Sequence, residues 1–417
     1  MKKKENNNLH VVQQEEDTAG KIVNEVITEL HESDAEMQEM QEKIKRHRRN
    51  HRIRVTVIAA AIVLLVSVSY WYITYHTFTK TRIVQKYQEE QYHNSSYEVF
   101  ADSVIKYSKD GISLLNKKGR EKWNQSYQMA TPVLVLGEKT GVIADNGGNH
   151  MIVFQETGVK GEIQTNLPIE KIDVSEQGIV AAILKEELSP KVVCYDAEGN
   201  LLAEHKIAVS TSGYPVEVSI SDDGKLLMVS YLKVENSQIS TNVVYYNFGG
   251  KDSGVNNYEV FSKSYPNEII PEGYFIGNET SVLVGSSSMM IFHGKDKPQP
   301  GETITVEKKI KSVFRHDKYI GMLLKNEGKE GYELRVYTIY GKQVFSENLT
   351  KEYSHVTMSG REILLYNNNQ LCIYQLNGSK RFEGELSNSI SKITPVSGIN
   401  KYLVMNADGM EEIQFVK

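Results

Sequence analysis

The sequence predicts an all-β fold, an eight-bladed β-propeller, preceded by one transmembrane helix and a short cytoplasmic helix. Three observations predict it. A 19-residue run at 55–73 carries no charge, the texture of the chain changes completely at residue 97, and one short pattern recurs eight times from there to the end.

The run VTVIAAAIVLLVSVSYWYI (55–73) is long enough to span about 30 Å of hydrocarbon as a helix with every backbone group bonded internally. Tyr70, Trp71, Tyr72 and Tyr75 cluster at its far end, where aromatic side chains mark a lipid–water interface. Lys43, Lys45, Arg46, Arg48, Arg49, Arg52 and Arg54 precede the run, against Lys80, Arg82 and Lys86 after it. Seven cations against three place the N-terminus in the cytoplasm and the bulk of the chain outside it. A cleaved secretory signal has a shorter basic region and a shorter apolar core, so a retained single-pass anchor at 55–75, in contact with the lipid bilayer of the cell membrane, is the expectation.

Around this anchor the chain divides by composition. Residues 1–17 are polar without a period and read as a disordered tail. Within 18–54, Ile22, Val26, Leu30, Met37, Met40 and Ile44 recur at helical spacing, with Glu25, Glu29, Glu32, Glu36 and Glu39 on the remaining faces. This amphipathic helix at 18–46 has three readings: a short self-associating coiled coil, a docking helix for a cytoplasmic partner, or a solvated helix. Segment 76–96 has no Gly or Pro until Asn94-Ser95-Ser96 and reads as a stalk or linker that continues the helix.

From residue 97 to 417 the chain is short β-branched and aromatic runs between Gly, Asn, Asp and Ser turns. An aromatic residue followed four positions later by Gly recurs at Phe154/Gly158, Tyr195/Gly199, Tyr246/Gly250, Tyr337/Gly341 and Tyr374/Gly378. Leu115/Gly119 is a weaker copy, Phe292 a degenerate one and Phe415 a truncated one. Successive members lie 39, 41, 51, 46, 45, 37 and 41 residues apart, each third in a series of four short strands. That is the period of a propeller blade. Asp110-Gly111, Asp223-Gly224 and Asn377-Gly378 supply residues that tolerate positive φ in tight hairpins. The last unit, 390–417, has only three strands, so either its outer strand is missing or another segment completes it. Seven blades is the alternative if the first unit merely closes the ring, and a pair of β-sandwiches, which predicts no fixed repeat, is the competing fold.

The stretch VEVSISDDGKLLMVSY (216–231) is similar to the strand–SxDG–strand unit of bacterial WD40-like and quinoprotein-like propellers. In layout the chain resembles a family of uncharacterised, membrane-anchored, extracytoplasmic propellers of Gram-positive bacteria, carried as a domain of unknown function. This resemblance implies architecture and no chemistry. Quinone-cofactor enzymes of this shape repeat a tryptophan in each blade, and the 97–417 region has one, Trp123, which speaks against a quinone-dependent dehydrogenase.

Composition narrows the function classes. A 40% hydrophobic, 24% charged chain of 417 residues is globular in character, and a net charge of −5 argues against a nucleic-acid partner. Phosphate-loop, dinucleotide, zinc-hydrolase, nucleophile-elbow and EF-hand motifs are absent from the sequence. His150, His205, His293, His316 and His355 are scattered without ligand spacing. Asp145-Asn146-Gly147-Gly148-Asn149 and Asp222-Asp223-Gly224 offer oxygens to calcium, but hairpin turns require the same residues. Cys194 and Cys372, in the third and seventh units, read as buried free thiols rather than a disulfide. Tyr245, Tyr246, Tyr337 and Tyr340 are explained by strand propensity and blade packing.

The expected function is therefore a binding or assembly platform for an envelope protein or wall polymer, not an enzyme. No catalytic, cofactor-binding or metal-ligating residue is singled out, and the binding residues are unidentified. Two alternatives stand beside it: a propeller enzyme acting on an extracellular polymer, which carboxylates or histidines converging in the channel would favour, and a transmembrane sensor signalling through the cytoplasmic helix.

Overall fold

The computed structural model describes residues 6–88, 95–249, 258–328 and 330–416. Two compact units emerge, 1–74 and 75–417.

The first unit is helical. One helix runs through Asn6–Tyr75, so most of the stretch expected to be a disordered tail at 1–17 is helical instead, and the two segments expected as separate helices at 18–46 and 55–75 are parts of one continuous helix. Between residues 6 and 75 there is no Pro and a single Gly, Gly20, so nothing in the chain interrupts the backbone hydrogen-bond ladder. The part Met37–Tyr72 is long and apolar enough to cross a membrane, and none of its apolar window is covered by protein. The side chains of Ile22, Val26 and Leu30 lie outside the described ones. Met37, Met40 and Ile44 are exposed.

The second unit is the propeller, with eight four-stranded antiparallel sheets. Blades 1 to 7 are built in chain order from 96–126, 132–164, 169–206, 214–266, 272–305, 309–349 and 355–385. Blade 8 takes its first three strands from 392–416 and its outer strand from Lys80–Gln88. This answers how the last unit is completed, and it corrects the expected stalk at 76–96: Lys80–Gln88 is a strand, not a helix. Its partner is Gly409–Val416, with Ile83 opposite Ile413. Residues Thr81, Ile83, Val84 and Tyr87 suit a strand, but their partner lies some 330 positions away, beyond the reach of local pattern. The chain enters this strand already paired, because the Phe78 N–H donates to Arg381 O (2.9 Å) on the outer strand of blade 7, and Phe78 O accepts from the Glu383 N–H (3.1 Å).

The recurring aromatic has a definite place. Leu115, Phe154, Tyr195, Tyr246, Phe292, Tyr337, Tyr374 and Phe415 all fall in the third strand of their blade and all are buried. The apolar core is divided into eight clusters, one in each crevice between adjacent blades, and each recurring residue packs towards the blade before it. In blades 1 to 7 the pairing of third and fourth strands slips at or beside this residue. The glycine four positions later explains the slip in several blades. Gly119, Gly199, Gly341 and Gly378 adopt φ of 74°, 90°, 76° and 88° at the end of a tight turn, the left-handed geometry of a bulged hairpin. Gly250 lies outside the described residues. Of the three turn glycines, Gly224 and Gly378 take positive φ whereas Gly111 does not; there a Cβ would lie 3.0 Å from Gln125 O, so close backbone approach requires glycine. The 51-residue interval before Tyr246 reflects the long hairpin Leu226–Glu235/Gln238–Asn247 of blade 4.

Closure between blades 7 and 8 rests on a stack in which the Phe415 ring lies 4.2 Å from Phe382 and 4.4 Å from Tyr402. Phe415→Ala is expected to cost about 3–5 kcal/mol of unfolding free energy, as truncation of a buried aromatic does. A fragment 97–417 should melt at lower temperature than 76–417, and a synthetic 76–88 peptide should restore part of the loss. Equal melting of the two fragments in calorimetry would show that the ring does not need its N-terminal strand.

Candidate functional site in the central channel

First strands of consecutive blades pack against one another, as blade 3 on blade 4, blade 4 on blade 5 and blade 8 on blade 1, so these strands line the central channel. They are flanked on both sides by neighbours. Most of the charges within them fall in blades 3 to 6, among them Lys171 and Asp173 on Ile169–Val174, Glu217 on Tyr214–Ile220, Glu272 on Glu272–Ile276 and Arg315 on Lys309–His316. Together with Tyr274 they line a cavity of about 530 Å³.

Some of these groups join blades. Lys171 Nζ lies 2.9 Å from Glu217 Oε2. Asp173 accepts from the Ser219 hydroxyl (2.6 Å), the Ile220 N–H (2.9 Å) and the Val174 N–H (3.0 Å). The Tyr214 hydroxyl donates to Glu170 (2.6 Å). Arg315 Nη1 donates to Phe275 O (2.7 Å), and the guanidinium sits 4.6 Å above the Tyr274 ring.

The rest is unpaired. Tyr274 is 6% exposed, and its hydroxyl is sealed from solvent without a hydrogen-bond partner among the described residues. Glu272 has neither a hydrogen bond nor an ion pair among them, and no carboxylate there lies within salt-bridge distance of Arg315. Burial raises Asp173 above the usual carboxylate range against the pull of Arg315, Ser219 and the two backbone donors. Glu272, exposed to the channel, is also raised, by partial desolvation against the pull of Arg315 and Lys171. Glu217 is pushed up to about 7, by burial first and by the neighbouring carboxylates Asp173 and Glu272, while Lys171 holds it down.

The residues considered from sequence lie elsewhere. His150 pairs with Glu162 (3.1 Å), His293 with Thr280 (3.2 Å), His316 accepts from the Gly360 N–H (2.8 Å), and His355 stacks on Tyr366 at 4.9 Å. His205 lines a separate crevice between blades 3 and 4 with Cys194, Tyr231 and Tyr246, where burial lowers the imidazole. No group of three metal-ligating side chains forms among the described residues. Asp145 accepts from the Thr131 N–H (2.8 Å) and Asp223 from the Ser221 hydroxyl (2.9 Å), both turn-stabilising contacts. Cys194 and Cys372 are buried free thiols, and burial pushes Cys194 up to about 12. Tyr245 is fully buried, whereas Tyr340 is exposed. Trp123 does dock neighbouring blades, its ring 5.6 Å from Phe154 and its Nε1–H donating to Glu156 O (3.2 Å).

Sequence reasoning passed over Asp173, Glu217, Glu272, Tyr274 and Arg315. One signal was present: in EKIDV, PVEVSI and SVFRH a charge interrupts the first strand of a repeat, where both flanks should be apolar.

The raised Glu217 carboxyl has a consequence for stability. Its proton is held more tightly in the folded chain than in the unfolded one, so its contribution is complete below about pH 4.5 and is lost as pH rises through 7. The span is on the order of 3 kcal/mol. Melting temperature should therefore fall between pH 5 and 8 more steeply in the native chain than in Glu217→Gln. In a carboxyl-carbon NMR titration Glu217 should turn over near pH 7, and Lys171→Met should move that midpoint upward; a midpoint in the ordinary carboxylate range would contradict the assignment.

No curated protein matches the sequence. Among solved structures, Saccharomyces cerevisiae Sqt1 is similar with a TM-score of 0.52 at 11% identity, over 80% of this chain and 100% of that one. BamB from Moraxella catarrhalis gives 0.48 at 10% identity, over 81% and 99%. At such identity the likeness to Sqt1 concerns the propeller fold alone. The model of a family of unknown function, DUF5711, matches residues 74–415, from the end of the helix through the last strand of blade 8, and the chain belongs to that family.

Proposed function

We propose that this chain is a membrane-tethered binding platform, its propeller held outside the cytoplasm by the single N-terminal helix and its ligand taken at the central channel. The observation that carries this reading is the exposed pair Glu272 and Arg315, neither in a salt bridge among the described residues, in a cavity whose other charges are already paired. Paired charges stabilise the ring; unpaired ones in a concave site are available to a ligand. The excess of cations before residue 55 supports the orientation, and an envelope protein or wall polymer is the partner such a location offers.

A second reading has a specific observation behind it. Asp173, Glu217 and Glu272 converge in the channel with raised affinity for protons, a setting in which a polymer-cleaving enzyme would place its acid. Hydrolysis of a glycosidic bond needs two carboxyl groups facing the substrate. Here Asp173 is occupied by three donors and Glu217 by Lys171, which leaves Glu272 alone and favours binding over turnover.

Two experiments test the platform. Leu188 is 82% exposed, and the native thiols are buried, so Leu188→Cys gives a clean reporter. A membrane-impermeant maleimide should label it on intact cells; labelling only after permeabilisation would place the propeller inside. Proximity labelling from intact cells should recover partners with the full chain above those found with residues 1–75 alone. Recovery of none, together with turnover of a polymer by the purified protein, would replace the platform with the enzyme.

A further inference from the structure

The chemistry of the open group narrows the ligand, an inference that rests on the channel being the binding site. Tyr274 and Ile276 face the crevice with blade 6, in one cluster with Ile320 and Met322, and Val313 of blade 6 packs against it from the other side. Glu272 lies two residues before Tyr274 on the same strand, hence on the same face, roughly 7 Å away along the strand. Arg315 lies two residues after Val313 and covers the Tyr274 ring. A carboxyl and a guanidinium, both exposed, thus meet where one crevice opens to the channel, over the buried ring of Tyr274, and both retain hydrogen-bonding capacity. Arg315 spends one N–H on Phe275 O and keeps four.

Neither a simple anion nor a simple cation suits this group. The cavity is lined by Glu170, Asp173, Glu217 and Glu272 against Lys171 and Arg315, so an anion alone enters an unfavourable field. A cation alone would leave the Arg315 guanidinium without an anionic partner, since no carboxylate among the described residues lies within salt-bridge distance of it. We propose that the blade 5–6 mouth of the channel binds a zwitterion, an amino acid or the end of a peptide, with its ammonium on Glu272 and its carboxylate on Arg315. A cavity of about 530 Å³ falls within the size range of small-molecule sites.

The test uses the purified full chain in detergent and four probes followed by calorimetry: L-lysine, cadaverine, which lacks the carboxylate, glutarate, which lacks the amine, and the tripeptide Ala-Ala-Lys. Lysine or the tripeptide should bind about tenfold or more tightly than cadaverine and glutarate, the stronger of the two telling a free amino acid from a chain end. Arg315→Met should weaken the zwitterion about tenfold and leave cadaverine unchanged. Glu272→Gln removes the charge at an exposed position, and should weaken lysine and cadaverine severalfold while leaving glutarate unchanged. Absence of binding by all four probes at about 10 mM, equal binding of glutarate or cadaverine, or wild-type affinity in both variants would overturn the inference. Should proximity labelling still recover partners with Arg315→Met as with the native chain, the platform stands and only this ligand assignment falls.

Discussion

A four-stranded blade has two apolar faces and no means of covering either by itself, and the rest of the structure follows from that constraint. Each face is buried only by the next blade, so burial is complete only when the last blade meets the first. Eight crevices hold eight core clusters, and the residue that recurs along the chain is the one that reaches into the crevice behind it. The repeat is thus the trace of a packing requirement, and the bulge beside it bends the outer hairpin while leaving the aromatic ring buried.

The same constraint makes the channel wall unusual. Strands enclosed on both sides have little tolerance for charge, and where charges occur they must be paired or turned towards water. Lys171, Glu217, Asp173 and Ser219 meet that demand between blades 3 and 4, and Lys392 and Glu98 do so between blades 8 and 1 at 2.5 Å. The blade 5–6 mouth meets it by the second route: Glu272 and Arg315 are exposed, and only the Tyr274 phenol beneath the guanidinium is buried without a partner.

Much of the fold was legible before any coordinates. The period of about 40 residues, the strand carrying Phe154 or Tyr374, and the buried thiols all follow from local pattern, because hairpin turns and third-strand packing repeat in every blade. Two kinds of feature escaped. Lys80–Gln88 lacks a turn signal and owes its conformation to Gly409–Val416, so nothing near it in the chain distinguishes strand from helix. The channel group escaped for a related reason: Glu272, Tyr274 and Arg315 come from two repeats, and each is unremarkable alone. Their frame, the first strand of a blade, becomes visible only once the blades have been counted.

The clasp between Lys80–Gln88 and Gly409–Val416 also sets an order of events. The closing strand precedes blade 1 in the chain and its partner follows blade 7, so the two ends of the ring wait for each other while seven blades are made. Until blade 8 is made, the apolar flank of blade 1 lacks Leu403, Met405 and Met410. Pairing so remote in sequence is slow to form, and the flank stays uncovered for as long as that pairing is delayed.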